Sequence, residues 1–264
     1  MSKFYKNRKV RIILIILLVT IFCASSYYLF SNLREQKKEQ KEFEELENII
    51  EVKEETTIED ITIENEEENE RNNVIYYSVD LSSLKSKNDD LVAWVKIDGT
   101  NINYPVMQNG QYYLKRNFYK NYSSLGTPFL ADYCNLKTSD CLTIYGHHIK
   151  SGLMFADLEK YKSFDFYNNH KYITLYTLEN EETKKNIYEI CFAFKTTAND
   201  NGFKYYSYNY FLDFEDYNSY INSCKHIELY NTGVETNYGD KFIQLSTCEY
   251  SQENGRMVIA ARKV

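Results

Sequence analysis

Three side chains far apart along this chain could act together on an acyl group. Cys248 closes the run Phe242-Ile243-Gln244-Leu245-Ser246-Thr247. Arg256 follows eight residues later, across a short polar loop, and opens the apolar Met257-Val258-Ile259. That spacing places a thiol and a guanidinium on adjacent strand ends, the arrangement a nucleophile and an anion-stabilising cation require. About a hundred residues upstream, Tyr145-Gly146-His147-His148 supplies an imidazole after another apolar run. The three types together point to cysteine acyl-transfer chemistry.

Each residue alone has a plainer reading. A cysteine after an apolar run is commonly core packing, yet Ser246, Thr247 and Glu249 surround Cys248 with polar groups, as at a strand end opening onto a groove. A strand end also exposes backbone N–H groups that can face a developing oxyanion. His147 alone reads as a loop histidine and Arg256 as a surface arginine. A His147-His148 metal pair is disfavoured, because neighbours on an extended chain point to opposite faces and no further ligand stands at suitable spacing. Neither metal nor cofactor is expected.

The elements that must position these groups are short. Val79 to Asp90 reads as a short helix capped by Asp80 or Ser82, with Leu81 and Leu84 inward. Leu91 to Ile97, a turn at Asp98-Gly99-Thr100, and Asn101 to Val106 read as a hairpin. Further strands are expected at Thr127 to Ala131, Cys141 to Tyr145, Tyr172 to Leu178, Lys185 to Lys195, Lys241 to Thr247 and Arg256 to Arg262. Helical patterns fall at Met154 to Lys160 and at Phe214 to Lys225, where Tyr217, Tyr220, Ile221 and Cys224 recur at three- and four-residue spacing. Many strands and few helices favour a closed or nearly closed barrel.

The N-terminus is of another kind. Residues 1–11 hold five bases and no acid, and residues 12–33 carry no charge at all, long enough to cross a hydrocarbon core of about 30 Å. A cleaved signal would end near Cys23-Ala24-Ser25-Ser26, but Tyr27-Tyr28-Leu29-Phe30 continues the apolar run, so an uncleaved anchor is expected. The basic flank places residues 1–11 in the cytoplasm as a tail and everything after Leu33 outside. Residues 34–73 carry sixteen acids against six bases and read as an acidic stalk, with Leu33, Phe43, Leu46 and Ile50 hinting at a helical stripe in its first part. The chain's net charge of −7 resides largely in that stalk, leaving residues 74–264 as a nearly neutral catalytic domain. With no basic patch or phosphate loop after the apolar segment, nucleic-acid and nucleotide chemistry are disfavoured.

An exported location would permit disulfides among the six cysteines. Only Cys134 and Cys141, flanking a turn-like Asn135 to Asp140, are placed to meet; for the others, buried free thiols are expected.

On these residues the domain resembles a sortase, and specifically a class B sortase. The matching stretches are Trp94-Val95-Lys96-Ile97, Tyr104-Pro105-Val106-Met107-Gln108, Tyr112-Tyr113-Leu114, Tyr145-Gly146-His147-His148 with Gly152 and Met154-Phe155, and Gly239-Asp240 through Leu245-Ser246-Thr247-Cys248 to Gly255-Arg256-Met257-Val258. The resemblance implies a mainly β fold, an eight-stranded β-barrel with N-terminal helices and a long helix before the last strands, which Phe214 to Lys225 fits. It implies Cys248 as nucleophile, His147 as general acid/base and Arg256 as the group that holds substrate backbone and oxyanion. It assigns Leu114 to the substrate groove. Ser246 and Glu249, flanking the nucleophile, and Tyr206 in the aromatic Phe203 to Phe211 loop are expected to touch substrate as well. Gln108-Asn109-Gly110-Gln111 stands where relatives show an Asp-Asn pair, so no asparagine contact carries over.

The implied activity is a membrane-anchored transpeptidase that cleaves a C-terminal sorting motif after threonine and transfers the surface protein to an amine of peptidoglycan or its precursor. Alternatives are a pilin-polymerising enzyme, a thiol peptidase, and a non-catalytic surface adhesion or binding protein.

Overall fold

The computed structural model describes residues 8–56 and 74–264; residues 1–7 of the expected tail and 57–73 of the expected stalk lie outside the described residues. By contacts the chain divides into two units, Met1–Glu42 and Phe43–Val264.

The first unit is most of helix α1 (Arg8–Ile50), whose apolar side chains from Ile12 to Leu33 are largely exposed, Phe22 at 71% and Leu18 at 65%. Among the described residues it is the one helix long and apolar enough to cross a membrane. So much uncovered hydrocarbon is unfavourable in water, and a bilayer is a solvent that would remove the cost.

The second unit starts with the last turns of α1 and an antiparallel ribbon of β1 (Glu51–Thr56) and β2 (Val74–Val79). Next come α2 (Ser82–Lys85), β3 (Leu91–Lys96), β4 (Asn103–Met107), β5 (Phe129–Leu130), β6 (Cys141–Tyr145), α3 (Phe164–Asn169), β7 (Tyr172–Glu179), β8 (Glu182–Thr197), α4 (Phe214–Ile227), β9 (Phe242–Glu249) and β10 (Gly255–Lys263). Strands β3 to β10 close into an eight-stranded barrel in the order β10-β8-β7-β3-β4-β5-β6-β9. Neighbours pair antiparallel except β4 with β5 and β6 with β9, which run parallel.

The barrel strands read as apolar runs because both of their faces are covered. Ile243 and Leu245 of β9 and Met257, Ile259 and Ala261 of β10 point into the barrel with Val95, Ile144 and Leu175. Their alternates Phe242, Val258 and Ala260 point out, under Tyr217, Tyr220, Ile221 and Cys224 of α4. Each such large buried side chain contributes about 2–3 kcal/mol of transfer free energy. Asp213 caps α4 by accepting from the Asp216 N–H at 2.8 Å, and the sequence periodicity over 214–225 corresponds to that helix.

A second outer layer joins Trp94, Tyr104 and Met107 to Leu81 and Leu84 near α2 and to Phe43, Leu46 and Ile50 of α1. By contacts the compact unit that carries the barrel begins at Phe43; the apolar stripe in the first part of the acidic segment is helical, as its spacing suggests, and its members Phe43, Leu46 and Ile50 are buried while Leu33 is exposed. The helix expected over 79–90 shrinks to α2, with the Asp80 carboxylate accepting from Ser82 N at 2.8 Å. The Met154 to Lys160 pattern becomes a 3-10 helix over Ala156–Lys162.

Candidate active site

The site is built where β6, β9 and β10 end together. Cys248 lies directly opposite Arg256 in the antiparallel β9–β10 pair, so their side chains share one face with Cβ atoms about 5 Å apart. On the other side, β6 runs parallel to β9 with Tyr145 level with Ser246. The Gly146 N–H donates to the Ser246 carbonyl at 3.1 Å, and the Thr247 hydroxyl donates to the Gly146 carbonyl at 2.7 Å. Those two bonds carry the β6 chain onward so that His147 leaves the strand level with Cys248.

Two glycines allow the close approach. A Cβ on Gly146 would stand 2.6 Å from the Phe155 ring, and Phe155 N donates to the His147 carbonyl at 2.9 Å, which fixes the start of the histidine loop. Gly126, at φ +63°, passes where a Cβ would be 2.7 Å from the Leu114 carbonyl and 3.1 Å from the His147 ring. The His147 Nε2–H donates to that Leu114 carbonyl at 2.7 Å. Because a carbonyl only accepts, this bond puts a proton on Nε2 and leaves Nδ1 for other work.

Cys248, His147 and Arg256 all line one cleft of about 490 Å³, together with Leu114, Tyr206 and Ser246. Cys248 is a free, half-buried thiol. Arg256 donates through Nη1 only to the nearby carbonyls of Asn254 and Gly255 and forms no ion pair among the described residues, so its charge is available to an anion. Ser246 is fully buried, with its hydroxyl 2.6 Å from that of Tyr205, which makes it part of the cleft floor rather than a free donor.

Glu249 is not in the cleft. It follows Cys248 by one residue and so takes the other face of β9, where it is 2% exposed. There it accepts from Lys162 Nζ at 2.7 Å and from the Ser251 hydroxyl and N–H at 2.7 and 3.1 Å. Burial alone would raise its pKa, but these hydrogen bonds and the Lys162 charge outweigh burial and hold the carboxyl below the ordinary range. Expected to touch substrate, it instead braces the strand end from behind.

Three further sets of residues join the site. His148 Nδ1–H donates to the Cys248 carbonyl at 3.0 Å, and the Tyr250 hydroxyl donates to the His148 carbonyl at 3.2 Å, tying the histidine loop to the nucleophile strand. The adjacent histidine is visible in the sequence; its partner is not. Tyr133 and Tyr145 line the cleft with their hydroxyls 2.9 Å apart, and burial pushes the Tyr133 pKa up to about 12, so both are neutral donors at physiological pH. Gly110 and Gln111 form part of a wall, whereas Gln108 and Asn109 of the same stretch are engaged with the Ala131 and Cys134 carbonyls and with Asp90. Cys134 and Cys141 are free thiols, not a bridge.

This end of the barrel is equipped for thiol chemistry on an acyl group held in an extended cleft. Residues 95–264 match the Sortase domain family. Over 193 residues the chain is 35% identical to Sortase B of Listeria monocytogenes, covering 70% of this chain and 74% of that one. The sortase B structure from Clostridium perfringens superposes with a TM-score of 0.63 at 33% identity, over 69% of this chain and 98% of that one. A Staphylococcus aureus sortase B–substrate complex gives 0.62 at 32% identity, over 70% of this chain and 84% of that one. A sortase B complexed with triglycine gives the same score and identity, over 70% of this chain and 85% of that one. The chain belongs to the sortase family. Its similarity is to the class B members, and it is a cysteine transpeptidase.

Proposed function

We propose that this protein is a membrane-anchored enzyme that cleaves a C-terminal sorting motif after threonine and joins the protein to an amine of peptidoglycan or its precursor. The observation that carries the reading is the register of β6, β9 and β10, which puts Cys248, Arg256 and His147 along one cleft. The Cys248 thiolate attacks the threonine carbonyl, and Arg256 with nearby backbone N–H groups stabilises the oxyanion. As the C–N bond breaks, the His147 imidazolium gives its proton to the departing amine, leaving a thioester on Cys248. The acceptor amine then attacks the thioester carbonyl. His147 takes a proton from that amine as the C–S bond breaks, and the Cys248 thiolate is released.

That a relative from S. aureus is known as a substrate complex and another sortase B as a triglycine complex supports a peptide donor and an amine acceptor for this chain as well. The apolar run at 12–33 with its basic flank supports a single pass with the N-terminus in the cytoplasm. Tethering would hold the site beside secreted substrates and membrane-linked wall precursors, raising their effective concentration.

The test incubates the full chain in detergent with threonine-containing peptides, with and without short amines, and follows masses. An acyl adduct on Cys248 followed by a peptide–amine product is expected. Acid product alone in the presence of amine would make the protein a thiol peptidase, and activity retained by Cys248→Ala would remove the nucleophile assignment.

A further inference from the structure

Asp132 is the one acidic side chain among the described residues that line the cleft, and it stands at the end away from Cys248. Its position follows from register. Phe129 and Leu130 of β5 pair with Tyr145 and Ile144, and Ala131 N donates to the Thr143 carbonyl, so Asp132 lies toward the start of β6 while His147 lies beyond its end. Because β6 is level with β9, Asp132 is displaced from Cys248 along the strand direction by four to five residues, roughly 13–17 Å at ~3.3 Å per residue, and lies two strands across from it. The segment from Gly110 to Leu114, partly a 3-10 turn over Tyr112–Lys115, walls this side of the cleft, touching Asp132 at one end and His147 at the other.

The carboxylate is fixed there. Oδ1 accepts from the Gly110 N–H at 2.7 Å, and Oδ2 lies 3.1 Å from where a Cβ on Gly110 would be, over the opening that the glycine leaves. No lysine or arginine pairs with Asp132 among the described residues, and the side chain is exposed. The cleft thus has a cation, Arg256, beside the thiol and an anion at its far end, with tyrosine hydroxyls between.

Resting on the function proposed above, we infer that Asp132 is a specificity determinant that selects a lysine or arginine side chain four or five residues upstream of the attacked threonine carbonyl. The acyl half of the substrate must stay bound through both half-reactions while the other half departs, so the walled stretch belongs to the acyl half. An extended peptide advances at the same ~3.3 Å per residue as the strands beneath it. Arg256 repels a cationic side chain from the thiol end and Asp132 attracts it at the other, which also sets the direction in which the peptide lies.

The test measures kcat/KM for acylation of the full chain by paired peptides carrying Lys or Glu at each of those two positions. The wild type is expected to favour Lys about tenfold at one of them, the scale of a partly screened charge pair reversed in sign. The preference should shrink in 1 M salt. Asp132→Asn keeps an oxygen for the Gly110 N–H, so the wall stays in place, and its Lys-to-Glu ratio should fall to about two or less. Acylation with no preference in the wild type, or with the same preference in Asp132→Asn, overturns the inference and leaves the proposed function standing. Failure of every threonine peptide to acylate Cys248 overturns both.

Discussion

The two faces of β9 are used in opposite ways. Ser246 and Cys248 point into the cleft, where Cys248 is half-buried and free. Thr247 and Glu249, one residue along, turn back toward the body of the barrel, and their polar atoms are engaged with Gly146, Lys162 and Ser251. A strand's period of two thus lets four consecutive residues combine an available thiol with a braced backbone. Substitutions on the two faces should separate activity from stability.

The largest expected separation is at the thiol. Cys248→Ala should lower acyl transfer by at least about 10³-fold while changing stability by less than about 1 kcal/mol, because a half-buried thiol surrenders little packing. Product mass and thermal unfolding of the same preparation check both halves. A variant that unfolds easily would show that Cys248 serves the core and would erase the contrast between the faces.

Arg256, opposite Cys248, should follow the thiol's pattern at smaller size. Arg256→Gln removes the charge from the cleft face of β10 and is expected to reduce kcat/KM about 10²- to 10³-fold, the range for losing one oxyanion-stabilising donor. Alkylation of Cys248 by a small electrophile should persist, since the cleft remains open. Unchanged kcat/KM would assign Arg256 to its contacts with the Asn254 and Gly255 carbonyls alone.

What the sequence discloses and what it withholds divide along similar lines. Cys141 to Tyr145 is recoverable to the residue, and β9 and β10 to within two, because continuous apolar runs bounded by polar loops mark strands covered on both faces. The same boundaries put Cys248, His147 and Arg256 at strand ends. Glu249 is misassigned from sequence although the alternation that turns it away from Cys248 is itself a sequence property; adjacency along the chain weighs too heavily there against the period of two. Asp132 and Tyr133 give no signal, being in a turn after the two-residue strand β5, where no periodicity exists to read. Phe43, Leu46 and Ile50 announce a helical stripe, but its burial depends on Leu81, Leu84 and Trp94, more than thirty residues distant.

On the braced face, the smallest effect on chemistry and the clearest on stability is expected from Glu249→Gln. The amide keeps some hydrogen bonds but loses the ion pair to Lys162, which retains Glu159 as a partner. The cost should be about 1–2 kcal/mol, below the ~3–5 for breaking a wholly buried pair because Lys162 is about one-third exposed. The sign of the pH dependence follows from the depressed carboxyl pKa. An unfolded glutamate titrates near 4.3, so above that value the folded pair contributes its full stability. Below it the unfolded chain takes up a proton that the folded Glu249 refuses, and the contribution is lost progressively until pH has fallen through the folded value. Unfolding of wild type and Glu249→Gln should therefore differ most near neutrality and converge as pH drops below about 4.3. Acyl transfer at pH 7 should change only a few-fold, through looser placement of the neighbouring Cys248. A loss as large as that at Arg256, with stability intact, would put Glu249 on substrate after all and dissolve the distinction between the two faces.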